Sequence, residues 1–196
     1  MIGVVIPAAG AGVRLGGVAK ALLLRDDVTF LARIVAAARA IDEVDAVVVV
    51  GPPFAERIAD VARELGARVA INATPNRGMA SSVALGFAAL AESSATAAWL
   101  WPVDHPDIRI ETLGALALAL GTHDVAKPRF RGRCGHPPLI ARALWPSLAR
   151  CGDIDGGART VLAAARSIII DVDDRGVIDD VDEPRAASLA PSEGAR

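Results

Sequence analysis

Cysteine is scarce in this chain. Only two are present, Cys134 and Cys151, and neither sits in a C-x-x-C or Cys/His spacing, so the sequence implies no disulfide framework and no thiolate-held metal. They read as two unpaired thiols. No uninterrupted apolar run approaches the ~20 residues of a membrane-spanning helix, and no basic start followed by an apolar stretch and a small-residue cleavage site opens the chain. A cytoplasmic protein without a membrane partner is expected. Excess charge of either sign is also missing: the net charge is -2, which offers no general attraction to nucleic acid. Nor is there a Ser/His/Asp or Cys/His arrangement of the kind that marks covalent catalysis.

What the chain does have is apolar material. Hydrophobic residues make up 53% of its 196 positions and charged residues 22%, enough for one domain with a large core. Short runs rich in Val and Ile, such as "IGVVI" (2–6), "AVVVV" (46–50), "ARVAI" (67–71) and "AAWLW" (97–101), alternate with alanine-rich helical patterns near 29–40, 54–65, 80–91 and 110–120. Continuous apolar strands separated by helices predict a mostly parallel sheet covered on both faces, a three-layer α/β/α architecture. Past residue 121, "DVAKPRF" and "GHPPLIA" read as a hairpin insertion around the polar turn "RGR" (131–133), followed by a helix near 157–165 and a strand at 167–171. No internal repeat or linker interrupts the chain. The expectation is a single domain over residues 1–186, with a polar, frayed tail at 187–196.

The chemistry concentrates at the ends of strands. The first strand runs into Pro7, Ala8, Ala9, Gly10, Ala11 and Gly12, with Arg14 inside the loop and Lys20 just beyond it. Glycine lets successive amide N–H groups converge on phosphate oxygens. A dinucleotide fingerprint would need glycine where Leu15 stands and an acid where Gly51 and Pro52 follow the second strand. A Walker loop would need lysine directly after glycine, but Val18 follows Gly17. The remaining pattern suits an extended triphosphate; the alternative is a tight turn carrying two solvated cations.

Three further segments bear on this. "WPVDHPD" (101–107) sets Asp104 just past the fourth strand, where one carboxylate facing a triphosphate can hold magnesium; otherwise it caps the next helix. His105 beside it reads as a polar loop residue rather than a base, having no nucleophile paired with it. "DDVDEP" (179–184) is a solvated turn or the second half of a metal site, with Asp182 as the candidate ligand and Asp180 as its neighbour. "NRGMASS" (76–82) places Asn76, Gly78, Ser81 and Ser82 at a helix amino terminus able to serve a nucleotide's base or sugar, or simply to start a helix.

Taken in order, "PAAGAGVRLGGVAK", "NRGMASSVALG", "WPVDHPDI", "RGRCGHPPLI", "GDIDGGARTVL" and "IDDVDEP" resemble the MobA-like nucleotidyltransferases, and within them the molybdenum cofactor cytidylyltransferase (MocA-like) branch. The resemblance implies a glycosyltransferase-A-like, Rossmann-like nucleotide-diphospho-sugar transferase fold, and Mg2+. It also implies transfer of a nucleoside monophosphate from a triphosphate to a phosphorylated acceptor, with release of pyrophosphate. By the same resemblance Gly10, Gly12, Arg14 and Lys20 hold the triphosphate, and Asp104 binds the metal with help from Asp182. Gly78, Ser81 and Ser82 lie near the nucleoside, while Gly135, His136 and Pro137 line the acceptor side. Ala8-Ala9-Gly10 matches the form that favours CTP over GTP, and the implied partners are a molybdopterin-type acceptor and a molybdenum hydroxylase or its chaperone. The chain departs from the pattern at Leu15 (usually Met), His105 (Gln or Met) and Glu183 (Thr), which bears on the acceptor. A sugar- or alditol-phosphate nucleotidyltransferase and a non-catalytic nucleotide-binding accessory protein are the alternatives.

Overall fold

Continuous runs of Val and Ile build strands whose two faces are both apolar, and such strands must be sandwiched between helices. The computed structural model of the protein describes residues 1–10, 12, 17–181 and 188–189. In chain order its elements are β1 (Ile2–Pro7), β2 (Leu23–Arg25), β3 (Val28–Thr29), α1 (Phe30–Arg39), β4 (Val44–Val50), α2 (Ala55–Glu64), β5 (Arg68–Ile71) and α3 (Met79–Leu90). There follow β6 (Ala97–Leu100), α4 (Ile110–Leu120), β7 (Val125–Phe130), β8 (Arg133–Cys134), β9 (Leu139–Ala141), α5 (Trp145–Leu148), α6 (Ala158–Ala163), β10 (Ser167–Asp171) and β11 (Ser188–Leu189). No helix among the described residues is long and apolar enough to cross a membrane.

The main sheet has the order β10-β7-β9-β6-β1-β4-β5, with β8 appended to β7. All pairings are parallel except those of β9 and β8. Period-two alternation divides the core. Val4 and Ile6 of β1 with Val48 and Val50 of β4 pack under α1, α2 and α4, while Val5, Val47 and Val49 face α3 and α5. The expected three-layer α/β/α sandwich is thereby formed. α3 lies unusually close to the sheet, because a Cβ on its Gly86 would meet Val5 Cγ1 at 2.2 Å. That glycine sets the height at which the α3 amino terminus emerges beside the end of β1.

Two features add to the sequence reading. The expected hairpin over 124–141 forms, turning back at Arg131 and Gly132, with β7 pairing antiparallel first to β8 and then to β9. Pro137 and Pro138 carry no N–H and interrupt that ladder. Leu139 and Ile140, both almost wholly buried, resume it as β9 and also pair with β6, which places the hairpin inside the main sheet. The second feature is a small sheet of β11, β2 and β3, in which Ser188 and Leu189, within the tail expected to fray, pair with Leu24 and Leu23.

Candidate active site

The chain leaves β1, builds β4 and β5 on one side of it, then returns to lay β6 on the other. This reversal makes a switch point at the carboxyl ends of β1 and β6, where open α/β sheets bind ligands. Trp101 N donates to Val5 O at 2.9 Å, and Ala8 N to Val49 O at 2.8 Å, so the loops after the two strands leave side by side. Between them opens a cavity of about 270 Å³ lined by Pro7, Ala8, Ala9, Gly10, Gly12 and Lys20. Asp104 and Val103 close one side, and Gly78, Met79 and Ser82 of the α3 start close another. The sequence candidates Ala8, Ala9, Gly10, Gly12, Lys20, Gly78, Ser82 and Asp104 therefore share one chamber. Ala11, Arg14 and Asp182 lie outside the described residues.

Gly12 is held by more than its neighbours. Its φ is +59°, and a Cβ there would lie 1.9 Å from Val18 O; its carbonyl accepts from Gly17 N at 3.0 Å. The loop thus closes on itself and delivers Lys20, the first residue of a short 3-10 turn (Lys20–Leu22) whose Ala21 and Leu22 are buried. Across the cavity Lys20 Nζ stands 3.5 Å from Asp104 Oδ2, with both side chains about four-fifths buried. Among the described residues Asp104 Oδ1 is buried without a hydrogen-bond partner, and His105 Nε2 approaches it only to 3.9 Å. A desolvated carboxylate oxygen left unpaired is costly. A divalent cation is the partner that such a hard oxygen donor fits, with phosphates and waters completing its shell.

Residues 4–168 match the sequence profile of the MobA-like NTP transferase domain. The chain belongs to the MobA-like NTP transferase family. A search of curated proteins found no match for the sequence. Among solved structures, Rv0371c from Mycobacterium tuberculosis H37Rv superposes with a TM-score of 0.74 at 25% identity, covering 94% of each chain. The same protein has been solved as a complex with manganese. A nucleotidyl transferase from Methanothermobacter gives a TM-score of 0.73 at 19% identity, over 95% of this chain and 94% of that one. Molybdopterin-guanine dinucleotide biosynthesis protein A from Archaeoglobus fulgidus gives 0.65 at 14%, again over 95% and 94%. The MobA-like domain thus has the nucleotide-diphospho-sugar transferase fold, in a family of nucleotidyltransferases.

Beyond the cavity of this MobA-like domain, a strap formed by residues 174–181 crosses the Asp104 loop and the segment before β9. Val181 N donates to Asp104 O at 3.0 Å and His136 N to Val177 O at 2.7 Å. His105 Nδ1 lies 3.3 Å from Gly176 O, and the His105 and His136 rings are 4.9 Å apart. His105, expected as a polar loop residue, is instead 8% exposed, its carbonyl accepting from Trp101 Nε1 at 2.8 Å. Gly135 leaves no room at the crossing: a Cβ would sit 1.9 Å from Val177 O. Gly135→Ala is expected to lower stability by about 1 to 3 kcal/mol. An unchanged urea midpoint would show that the strap can give way.

His136 Nδ1 is buried with no hydrogen-bond partner among the described residues. Burial, then the neighbouring His105, push its pKa from 6.5 down to about 4, against the opposing pull of Asp104, Asp180 and the Leu100 carbonyl. The unfolded chain therefore binds a proton in the window from about 6.5 down to about 4 that the folded one refuses. Stability falls as pH drops through that window, by on the order of 3 kcal/mol at its lower end. Denaturation of the metal-free protein at several pH values, for wild type and His136→Gln, should show a steeper acid loss in wild type. Parallel profiles would exclude His136 as the source.

Sequence reasoning missed Asn72. It stands one residue past β5, 1% exposed, and its Nδ2 lies 2.9 Å from both Ser81 Oγ and Ser82 Oγ. Ser81 Oγ donates to Gly78 O at 2.8 Å, which turns it away from the cavity that Ser82 lines. Asn76 is exposed and outside that lining. Gly135, His136 and Pro137 stand behind the Asp104 loop. The only advance signal for Asn72 was a polar residue directly after an apolar strand.

Proposed function

We propose that this MobA-like protein is a cytoplasmic, Mg2+-dependent nucleotidyltransferase that moves CMP from CTP onto a phosphorylated, molybdopterin-type acceptor. The observation that carries the reading is Asp104 at the glycine-lined cavity of the switch point, its Oδ2 3.5 Å from Lys20 Nζ and its buried Oδ1 without a hydrogen-bond partner among the described residues. A triphosphate lying along Gly10 and Gly12 brings its anionic oxygens to Lys20, and Arg14 follows in the same loop. Asp104 would hold the metal, and Asp182 or its neighbour Asp180 would assist. The metal, when bound, neutralises phosphate charge and aligns the oxygens around the α-phosphorus.

In the proposed step an acceptor phosphate oxygen attacks the α-phosphorus in line, one new P–O bond forms and the bond to the β-phosphate oxygen breaks, so pyrophosphate leaves with the electron pair. No protein nucleophile is required. Lys20 and Arg14 stabilise charge gathering on the transferred and leaving groups, and the cavity holds the reactants in register. Gly135, His136 and Pro137 lie on the side proposed for the acceptor, where His105 replaces the Gln or Met of the resembling sequences. The product would pass to a molybdenum hydroxylase or its chaperone.

Support for a nucleoside triphosphate and a divalent cation comes from family membership and from the manganese complex of Rv0371c. The lean to CTP rests on the Ala8-Ala9-Gly10 loop. The test is thermal stabilisation by CTP, GTP, ATP and UTP in parallel, each with Mg2+. A nucleotide at about 100 times its dissociation constant adds ~2.7 kcal/mol. Selective stabilisation by CTP is expected. A GTP preference overturns the choice of base, and no response to any nucleotide overturns the reading.

A further inference from the structure

We infer that Asn72 is a positioning residue that fixes the hydroxyl of Ser82 as a hydrogen-bond donor into the cavity, and so selects a ligand presenting an acceptor at that point. The inference rests on the nucleotidyltransferase reading and adds to it a determinant of base choice. The orientation of the Asn72 amide is decided by its neighbours: Thr74 N, which can only donate, lies 3.0 Å from Asn72 Oδ1. The opposite end of the amide must then be the NH2 group, and its two hydrogens are directed at Ser81 Oγ and Ser82 Oγ, each at 2.9 Å. Every polar atom of this buried side chain is committed.

The two serines are left in different states. Ser81 accepts from Asn72 and gives its own hydrogen to Gly78 O at 2.8 Å, so it is complete. Ser82 also accepts from Asn72, yet no acceptor for its own hydroxyl hydrogen lies among the described residues. It is 4% exposed and lines the cavity beside Gly78 and Met79. A buried hydroxyl in that state is satisfied by an acceptor on the bound molecule. On a pyrimidine, N3 of cytosine is such an acceptor, whereas N3 of uracil carries a hydrogen that would oppose the hydroxyl. A site built to pair one way rejects the analogue that pairs the other way, because buried polar groups are then left unmet.

The network also makes the polarity reversible. With Asp in place of Asn the side chain offers only acceptors, so Ser82 turns its hydrogen toward residue 72 and presents a lone pair to the cavity. The variant Asn72→Asp tests this in the full-length protein, with dissociation constants for CTP and UTP measured by calorimetry in Mg2+. Any general repulsion between a buried carboxylate and the triphosphate acts on both nucleotides and cancels in their ratio. The CTP-to-UTP affinity ratio is expected to fall by about tenfold or more. Ser82→Ala should lower CTP affinity while leaving UTP affinity level or improved, and it carries the test if Asn72→Asp does not fold. Equal losses for both nucleotides in the variants, with wild type binding CTP preferentially, would overturn the role of Asn72 and leave the transferase reading intact. Failure of wild type to bind any nucleotide would overturn that reading and the inference with it.

Discussion

Lys20→Ala is expected to reduce nucleotidyl transfer by about two powers of ten or more. The size follows from where the ammonium sits. Lys20 is about four-fifths buried and 3.5 Å from Asp104 Oδ2, in a cavity where charge interactions are far less screened than in bulk water. It is delivered there by a loop that Gly12 locks at φ +59°, so little reorganisation separates the resting side chain from a phosphate oxygen. The loss should fall mainly on turnover, since the cation meets the charge that grows on the leaving pyrophosphate. Lys20→Arg should recover part of the rate by keeping the charge but not its placement. Activity of Lys20→Ala within a factor of a few of wild type would remove this residue from the chemistry.

Legibility of the fold and of the site divided along physical lines. Strands such as Val44–Val50 announce themselves as short continuous apolar runs, and helices such as Met79–Leu90 as longer segments whose burial recurs at helical spacing. Gly10, Gly12 and Lys20 could be picked out in advance because glycine spacing after an apolar strand reports where the backbone must turn, and the structure sets these three around one cavity. The entry of Leu139–Ala141 into the main sheet was not legible, since strand order depends on which edges meet in space. The strap was hidden for a related reason: Gly135 meets a backbone carbonyl of Val177, and backbone contacts leave no side-chain signature. Asn72 was missed because its partners, nine and ten positions away, fall on another element, and a polar network of that kind has no period. His105 looked polar in sequence, but Trp101 and Gly176 draw it inward.

Asp104→Asn is expected to separate stability from activity. The carboxylate is held with one oxygen buried and unpartnered among the described residues, an arrangement that disfavours the metal-free fold. Its main chain is fixed independently, through Val181 N at 3.0 Å from Asp104 O, and that bond survives the substitution. Asn keeps the shape and removes the charge, so the metal-free variant should melt no lower than wild type. Its transferase rate should nonetheless fall by about 100-fold or more, and it should need a higher cation concentration for half-maximal rate. Sites that store an unmet charge in this way give up stability for function. A variant that lost stability and activity in proportion would make Asp104 a structural residue, with its partnership to Lys20 serving the fold. A stable variant with near-normal rate and unchanged cation dependence would move the metal to other oxygens altogether.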